Sequence, residues 1–217
     1  MNKIIAIDGP VSSGKNSVGH LLARKLGYQF IDTGSIYRIF ALFTLEKSYS
    51  VSDLEKIDIR FETKNSDTLI FVDGVEINKR LHEPKVTEYV PIIAAKAEIR
   101  AISKKFQRKI GETQNTVMTG RDIGTEIFPD ASLKIFLTAT PEVRAKRRFK
   151  QLKLVNPEIT LDNILNQIID RDKMDTERKA SPMRIPEDSI IIDNSNLTVE
   201  ETVDKILGHY AHLAPPA

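Results

Sequence analysis

Ile4-Ile5-Ala6-Ile7-Asp8-Gly9-Pro10-Val11-Ser12-Ser13-Gly14-Lys15-Asn16-Ser17 is the stretch whose reading decides the fold. A short β-branched apolar run gives way to a turn-rich loop. Val18, Leu21, Leu22 and Leu26 then recur at helical spacing, with Gly27 as the stop. A run of that length reads as a buried strand. A Gly-x-x-x-x-Gly-Lys loop between a strand and a helix turns its backbone N–H groups onto a phosphate. The helix N-terminus adds positive potential, and the lysine reaches the outer phosphate oxygens. Gly9, Pro10, Val11, Ser12, Ser13, Gly14, Lys15, Asn16 and Ser17 are therefore expected to cradle the phosphates of a nucleotide. One position departs from the pattern: Asn16 stands where Ser or Thr would follow the lysine, and the hydroxyl comes one residue later at Ser17. That leaves the Mg²⁺ ligand open, with Ser17 the candidate.

Outward from this loop, strand-like and helical stretches alternate. Residues 28–31 read as a second strand and 36–45 as a helix. Ser52, with Glu55 three residues on, reads as a capping box for a short helix. Phe61, residues 69–72 and Val75 then form strand-like pieces around an Asp73-Gly74 hairpin signal. Helical patterning returns over residues 84–110, with Pro91 expected to break or kink it. Residues 116–118 and 133–137 read as strands, and residues 190–192 as a last buried strand. Thr140-Pro141 and Thr160 read as helix starts, and Thr198 with Glu201 as a capping box for a final helix. Strands alternating with helices imply an α/β fold, a parallel sheet covered on both faces. The hairpin region reads as a small antiparallel sheet inserted into one domain spanning residues 1–217. Only the Ala-Pro-Pro-Ala end reads as frayed.

Composition narrows the function. Hydrophobic residues make 41% and charged residues 29% of the 217, ordinary for a globular chain. The net charge is +2, with basic and acidic residues interleaved, which argues against a nucleic-acid partner. With no Cys there is no disulfide scaffold, thiolate metal site or cysteine nucleophile. No apolar stretch is long enough to span a bilayer and the N-terminus does not read as a signal peptide, so a cytoplasmic protein without membrane partners is expected.

A phosphate loop alone fits ATPases, GTPases and kinases. Transfer between two phosphorylated partners needs further cations, because donor and acceptor repel. Arg38 lies one helical turn past Gly34, and Arg121-Asp122 follows a strand, where α/β sheets bind ligands. Arg171, Asp175 and Arg178 fall on one helix face. Arg144, Arg147 and Arg148 form a similar stripe, which by itself reads as a solvated face. Asp32 reads either as a helix N-cap or as a substrate contact. Asp122 reads either as a ligand acceptor or as a turn cap or partner of Arg121.

Five segments then carry a specific resemblance: residues 8–15, 32–38, 120–125, 128–131 and 171–178. In order and spacing they resemble the bacterial cytidylate kinases, over nearly the whole chain. The resemblance implies a P-loop kinase with a five-stranded parallel core, a monophosphate-binding insertion at about residues 59–97 and a helical lid at about residues 148–184. It implies ATP with Mg²⁺ as donor and CMP and dCMP as acceptors in pyrimidine metabolism; a monomer is expected. Lys15, Arg121 and Arg178 would be catalytic, and Arg38 would gather phosphate charge. Thr33, Arg100 and Asp122 would face the cytosine, and Arg171 and Asp175 the ribose. The chain departs from the family's pattern at Thr119, where an Asp is usual, at Pro91, in place of a Ser that meets the sugar, and at His82, in place of an Arg. Two alternatives stand beside this reading: a P-loop kinase of another small metabolite, and a nucleotide-binding regulator with reduced turnover.

Overall fold

The computed structural model describes residues 2–64, 67–154 and 157–213; the Ala-Pro-Pro-Ala end lies outside the described residues. The chain opens with β1 (Ile4–Asp8), α1 (Lys15–Leu26), β2 (Gln29–Asp32), α2 (Gly34–Lys47) and a one-turn α3 (Val51–Leu54). The insertion follows as β3 (Ile59–Lys64), β4 (Asp67–Val72) and β5 (Val75–Glu76), then a 3-10 turn at Arg80–His82. Next come α4 (Pro84–Ala94), α5 (Ala97–Gly111), β6 (Thr116–Gly120), a π turn at Ile123–Ile127 and β7 (Leu133–Thr138). The chain ends with α6 (Pro141–Lys153), α7 (Leu161–Glu177), β8 (Ile190–Asp193) and α8 (Val199–Leu213).

Five strands form one sheet in the order β2-β6-β1-β7-β8, and the three strands of the insertion form another, antiparallel, in the order β3-β4-β5. All four pairings of the large sheet are parallel, with β1 between β6 and β7. The period-2 alternation of β1 splits its side chains between two cores. Ile5 and Ile7 pack with Val18 and Leu22 of α1 and with Val203 and Ile206 of α8. Ala6 faces the opposite layer, with Ile36 and Phe40 of α2 and Ile99 of α5, continuous with Phe61 and Ile70 of the insertion. A third, smaller cluster joins α6 to α7 through Ala145, Ile164 and Ile168, with Val11 of the phosphate loop against it. Because the large sheet is parallel, the loops carrying Gly9–Gly14, Thr33, Arg121 and Asn194 leave the same strand edge, where such sheets bind ligands.

Several local expectations hold. Gly27 ends α1 in the left-handed conformation at φ 66°. The hydroxyls of Thr140 and Thr160 accept from the N–H groups of Val143 and Asn163, and Thr198 and Glu201 form their reciprocal box. Others are corrected. The capping box before α3 is made by Ser50 and Asp53 rather than Ser52 and Glu55. Two serines and two acids at the same spacing compete there, and Ser50 has the extended backbone that an N-cap needs. Pro91 sits inside α4 without ending it, and the break comes at Lys96, extended at ψ 125°, before α5. The last strand is buried on one face alone: among the described residues β8 has only β7 beside it, and Ile191 is 57% exposed while Ile192 is buried. Among the described residues no helix is long and apolar enough to cross a membrane.

Candidate active site

Between β1 and α1 the loop is shaped by two glycines. Gly9, at φ 149°, lies so close to β7 that a Cβ would stand 2.1 Å from the Leu137 carbonyl oxygen. Gly14, at φ 91°, precedes the first turn of α1. Lys15 is 6% exposed, and its Nζ donates to the Pro10 carbonyl at 2.6 Å and to Ser13 Oγ at 3.3 Å. Burial holds its pKa well below the usual lysine value, with repulsion from Arg121 adding to the effect. A phosphate would relieve both.

The stripe on α6 is not a solvated face. Arg144 is 5% exposed and donates to the carbonyls of Ala139 at 3.0 Å and Val11 at 3.1 Å. It also pairs with Asp172 of α7, whose other carboxylate oxygen accepts the Val11 N–H at 3.3 Å. Arg147 donates to Asn194 at 2.9 Å and to the Ser13 carbonyl at 3.4 Å. Both helices are thus tied to the phosphate loop through its backbone, which helical spacing could not reveal.

At the end of β2, Asp32 accepts from the Gly34 N–H at 3.0 Å and from Asn16 Nδ2 at 2.8 Å, and Asn16 Oδ1 accepts from the Thr119 hydroxyl at 3.0 Å. The two positions that depart from their patterns, Asn16 and Thr119, are therefore bonded to each other. Asp32 is not the N-cap of α2: Thr33 holds that place, its hydroxyl donating to the Thr119 carbonyl at 2.8 Å. Arg38 reaches the insertion, donating to the Leu81 carbonyl at 3.0 Å and Thr87 Oγ1 at 2.9 Å.

Deeper in, a chain of opposite charges links β6, α5 and α7. Asp122 pairs with Arg100 and, at 3.5 Å, with Arg178. Asp175 takes Arg121 at 2.9 Å and Arg171 and Arg178 at 3.4 Å each. Arg121 and Asp122 thus point to different partners, and Asp122 makes no side-chain cap bond to the following turn. Burial would push the Asp175 carboxyl up, but Arg121 and Arg171 outweigh it and hold the pKa below the usual value. Burial also works against the charge of Arg100, and the facing Tyr37 and Asp122 overcome it. Arg100 lies over the Tyr37 ring at 5.4 Å, and its buried Nε has no hydrogen-bond partner among the described residues.

These groups line one cleft of about 740 Å³, a size that suits small-molecule ligands. Nine cationic side chains and three carboxylates, Asp32, Asp122 and Asp175, face it. Every expected site residue lines it except Gly9, Pro10 and Ser13, which shape the loop from behind. Tyr37, Arg147, Arg148, Lys150 and Asn194 line it without having been singled out as ligands from the sequence. Arg147 and Arg148 were visible as part of the basic stripe, and Tyr37 as a residue next to Arg38; Asn194 carries no signal. Burial lowers the pKa of Arg38, Arg148 and Arg178, so the cleft holds cations short of counter-charge.

Comparison with known proteins agrees with this chemistry. A family model described as cytidylate kinase matches residues 5–212. A cytidylate kinase of Caldicellulosiruptor saccharolyticus is 41% identical over 95% of this chain and 95% of its own. One of Caldanaerobacter subterraneus subsp. tengcongensis is 42% identical, over 93% and 92%. Among solved structures, shikimate kinase of Bacteroides thetaiotaomicron aligns at TM-score 0.52 with 17% identity, over 96% of this chain and 98% of that one. Shikimate kinase of Acinetobacter baumannii aligns at TM-score 0.53 with 15% identity, over 98% and 94%. These likenesses show the P-loop kinase fold. The family match runs through nearly every element that builds the cleft, and the chain belongs to the cytidylate kinase family.

Proposed function

We propose that the chain transfers the γ-phosphoryl group of ATP to CMP, giving ADP and CDP, and that it accepts dCMP as well. The observation that carries this reading is the charge of the cleft: nine cations against three carboxylates, between a phosphate loop and a buried Arg100–Asp122 pair. Two anionic substrates need that excess, whereas an uncharged alcohol acceptor would call for a base. The backbone N–H groups of residues 9–17 and Lys15 take the ATP phosphates, Lys15 Nζ exchanging Pro10 and Ser13 for phosphate oxygens. Arg38, Arg121 and Arg178 gather the acceptor phosphate and the transferring group. An oxygen of the CMP phosphate attacks the γ-phosphorus in line, and the bond to the ADP oxygen breaks. Catalysis is positioning and charge neutralisation, without a covalent intermediate.

At the acceptor base, Asp122 receives the exocyclic amine, while Arg100 and Thr33 serve the carbonyl and ring nitrogen. Arg171 and Asp175 face the ribose. The insertion, about residues 59–97, carries the acceptor side, and the helical segment of about residues 148–184 closes over both nucleotides.

Among the described residues no group of three or more His, Asp or Glu could hold a metal ion. The fit is to a hydrated Mg²⁺ carried on the ATP phosphates, which needs few protein oxygens. Ser17 and Asp32 line the cleft beside the loop, and Asp32 takes part in no ion pair among the described residues. Bound there, Mg²⁺ would neutralise charge on the β- and γ-phosphates. An ADP-release assay with CMP, dCMP, UMP, AMP and GMP tests the reading. CMP and dCMP should turn over well ahead of the other three, and preference for AMP or GMP would overturn it.

A further inference from the structure

Asp8 ends β1, directly before the phosphate loop, and is 1% exposed. It lies opposite Gly120 in the register with β6. Its two carboxylate oxygens are divided between two backbone donors, Oδ1 taking the Ile123 N–H at 2.9 Å and Oδ2 the Gly124 N–H at 2.7 Å. Those donors open the π turn that directly follows Arg121-Asp122. No cation pairs with Asp8 among the described residues, although burying a carboxylate without one is costly. Such a group is retained where its geometry matters, since a neutral side chain would pack there at less cost.

We propose that Asp8 is a positioning residue for phosphoryl transfer, holding the Arg121–Asp122 segment at a fixed place relative to the phosphate loop. One residue thereby sets the distance between the groups that bind the donor and those that bind the acceptor. The proposal rests on the kinase reading above for its consequence in turnover, but not for its geometry. Two N–H groups need two acceptors, and only the ionised carboxylate supplies both. A protonated carboxyl, or an amide, turns one position into a donor aimed at an N–H.

The surroundings make that state sensitive to pH. Burial, opposed by the two N–H groups, pushes the Asp8 carboxyl up to about 6, with smaller opposing effects of Asp122 and Lys15. The other elements packed on β1 add little charge: β6 carries none, Lys134 of β7 is bound to Asp188, and Glu126 of the π turn pairs with Lys104. Phosphate monoesters also lose a proton near about pH 6, so a rate profile alone would mix the two titrations.

The decisive measurement is therefore made without substrate. In amide NMR of the wild-type protein from pH 3.5 to 8, the Ile123 and Gly124 N–H signals should share one titration with a midpoint of about 6. Asp8→Asn should abolish it. At pH 7.5 the variant should lose about 10- to 100-fold in kcat/KM for the acceptor, the scale of a small misplacement. Its affinity for ATP, measured by equilibrium binding, should change little. Wild-type amides without a shared inflection anywhere from pH 3.5 to 8 overturn the proposal even if the variant fails to fold. A folded Asp8→Asn protein with full acceptor efficiency overturns it as well. Loss of CMP selectivity with the amide titration intact would instead count against the kinase reading alone.

Discussion

Asp122 is 5% exposed and shared between Arg100 and Arg178, so its position is fixed before any substrate arrives. An ionised carboxylate only accepts, and each of its oxygens keeps a lone pair beyond those the arginines use. Cytosine brings an amine to the position where uracil brings a carbonyl. A preset acceptor rewards the first and leaves the second unpaired, a mismatch that polar sites reject strongly. Asp122→Asn keeps the volume and supplies a donor, so the CMP/UMP ratio of kcat/KM should fall on the order of 100-fold. A variant in which both substrates slow equally, the ratio surviving, would take base recognition away from Asp122. At this scale the sequence was legible where a side chain that lines the cleft sits in a patterned segment, as with Lys15, Arg38 and Arg121. Asp8 was not, because its partners are main-chain N–H groups more than a hundred residues away. No residue pattern records such a bond.

Helices α6 and α7 show where spacing misleads about whole elements. Arg144, Arg147 and Arg148 have the periodicity of a solvated stripe, yet Arg144 is buried against the loop and Asp172. Caps were easier to read, since Thr140, Thr160 and Thr198 act within three residues of themselves. The Ser52 box failed only because Ser50 offered the same spacing two residues earlier. Docking of the two helices on the phosphate loop depends on contacts across the fold, and the Asp172 carboxylate is central to it. Removing that group leaves the Arg144 guanidinium buried without its counter-ion. The loss of one partner from a buried pair costs about 3–5 kcal/mol, and partial solvation of Asp172 reduces that here to about 1–3 kcal/mol. Asp172→Ala should therefore lower the denaturant midpoint and raise the KM for ATP, as Val11 loses one of its two anchors. An unchanged midpoint would mean that water replaces the pair without loss.

Over the whole molecule, the buried carboxylates respond to pH in opposite directions. Asp175, held low by Arg121 and Arg171 against its burial, contributes stability at neutral pH that is lost only as the pH falls below the usual 3.8. Asp8 behaves in reverse. Its carboxyl is raised from 3.8 to about 6, so between those values the folded protein binds more protons than the unfolded chain. The stabilisation from that proton is complete below pH 3.8 and is lost as the pH climbs through 6. A shift of that size corresponds to roughly 3 kcal/mol. On the positioning role proposed for Asp8, the fold gives up stability at neutral pH to keep the phosphate loop and the Arg121–Asp122 segment in register, the expected balance for a group held by function. Asp8→Asn carries no titrating proton at this position, while Asp175 and the other carboxylates are common to both proteins and cancel in the comparison. Denaturant titrations of both proteins at pH 4.5, 6 and 7.5 should show the variant gaining on wild type as the pH rises. Over this window the gain should amount to roughly 2 kcal/mol, the rest of the span lying below pH 4.5, whatever constant offset the lost hydrogen bond adds. A difference between the two proteins that stays flat across this window would mean that Asp8 is already fully ionised, or never ionised, in the folded state.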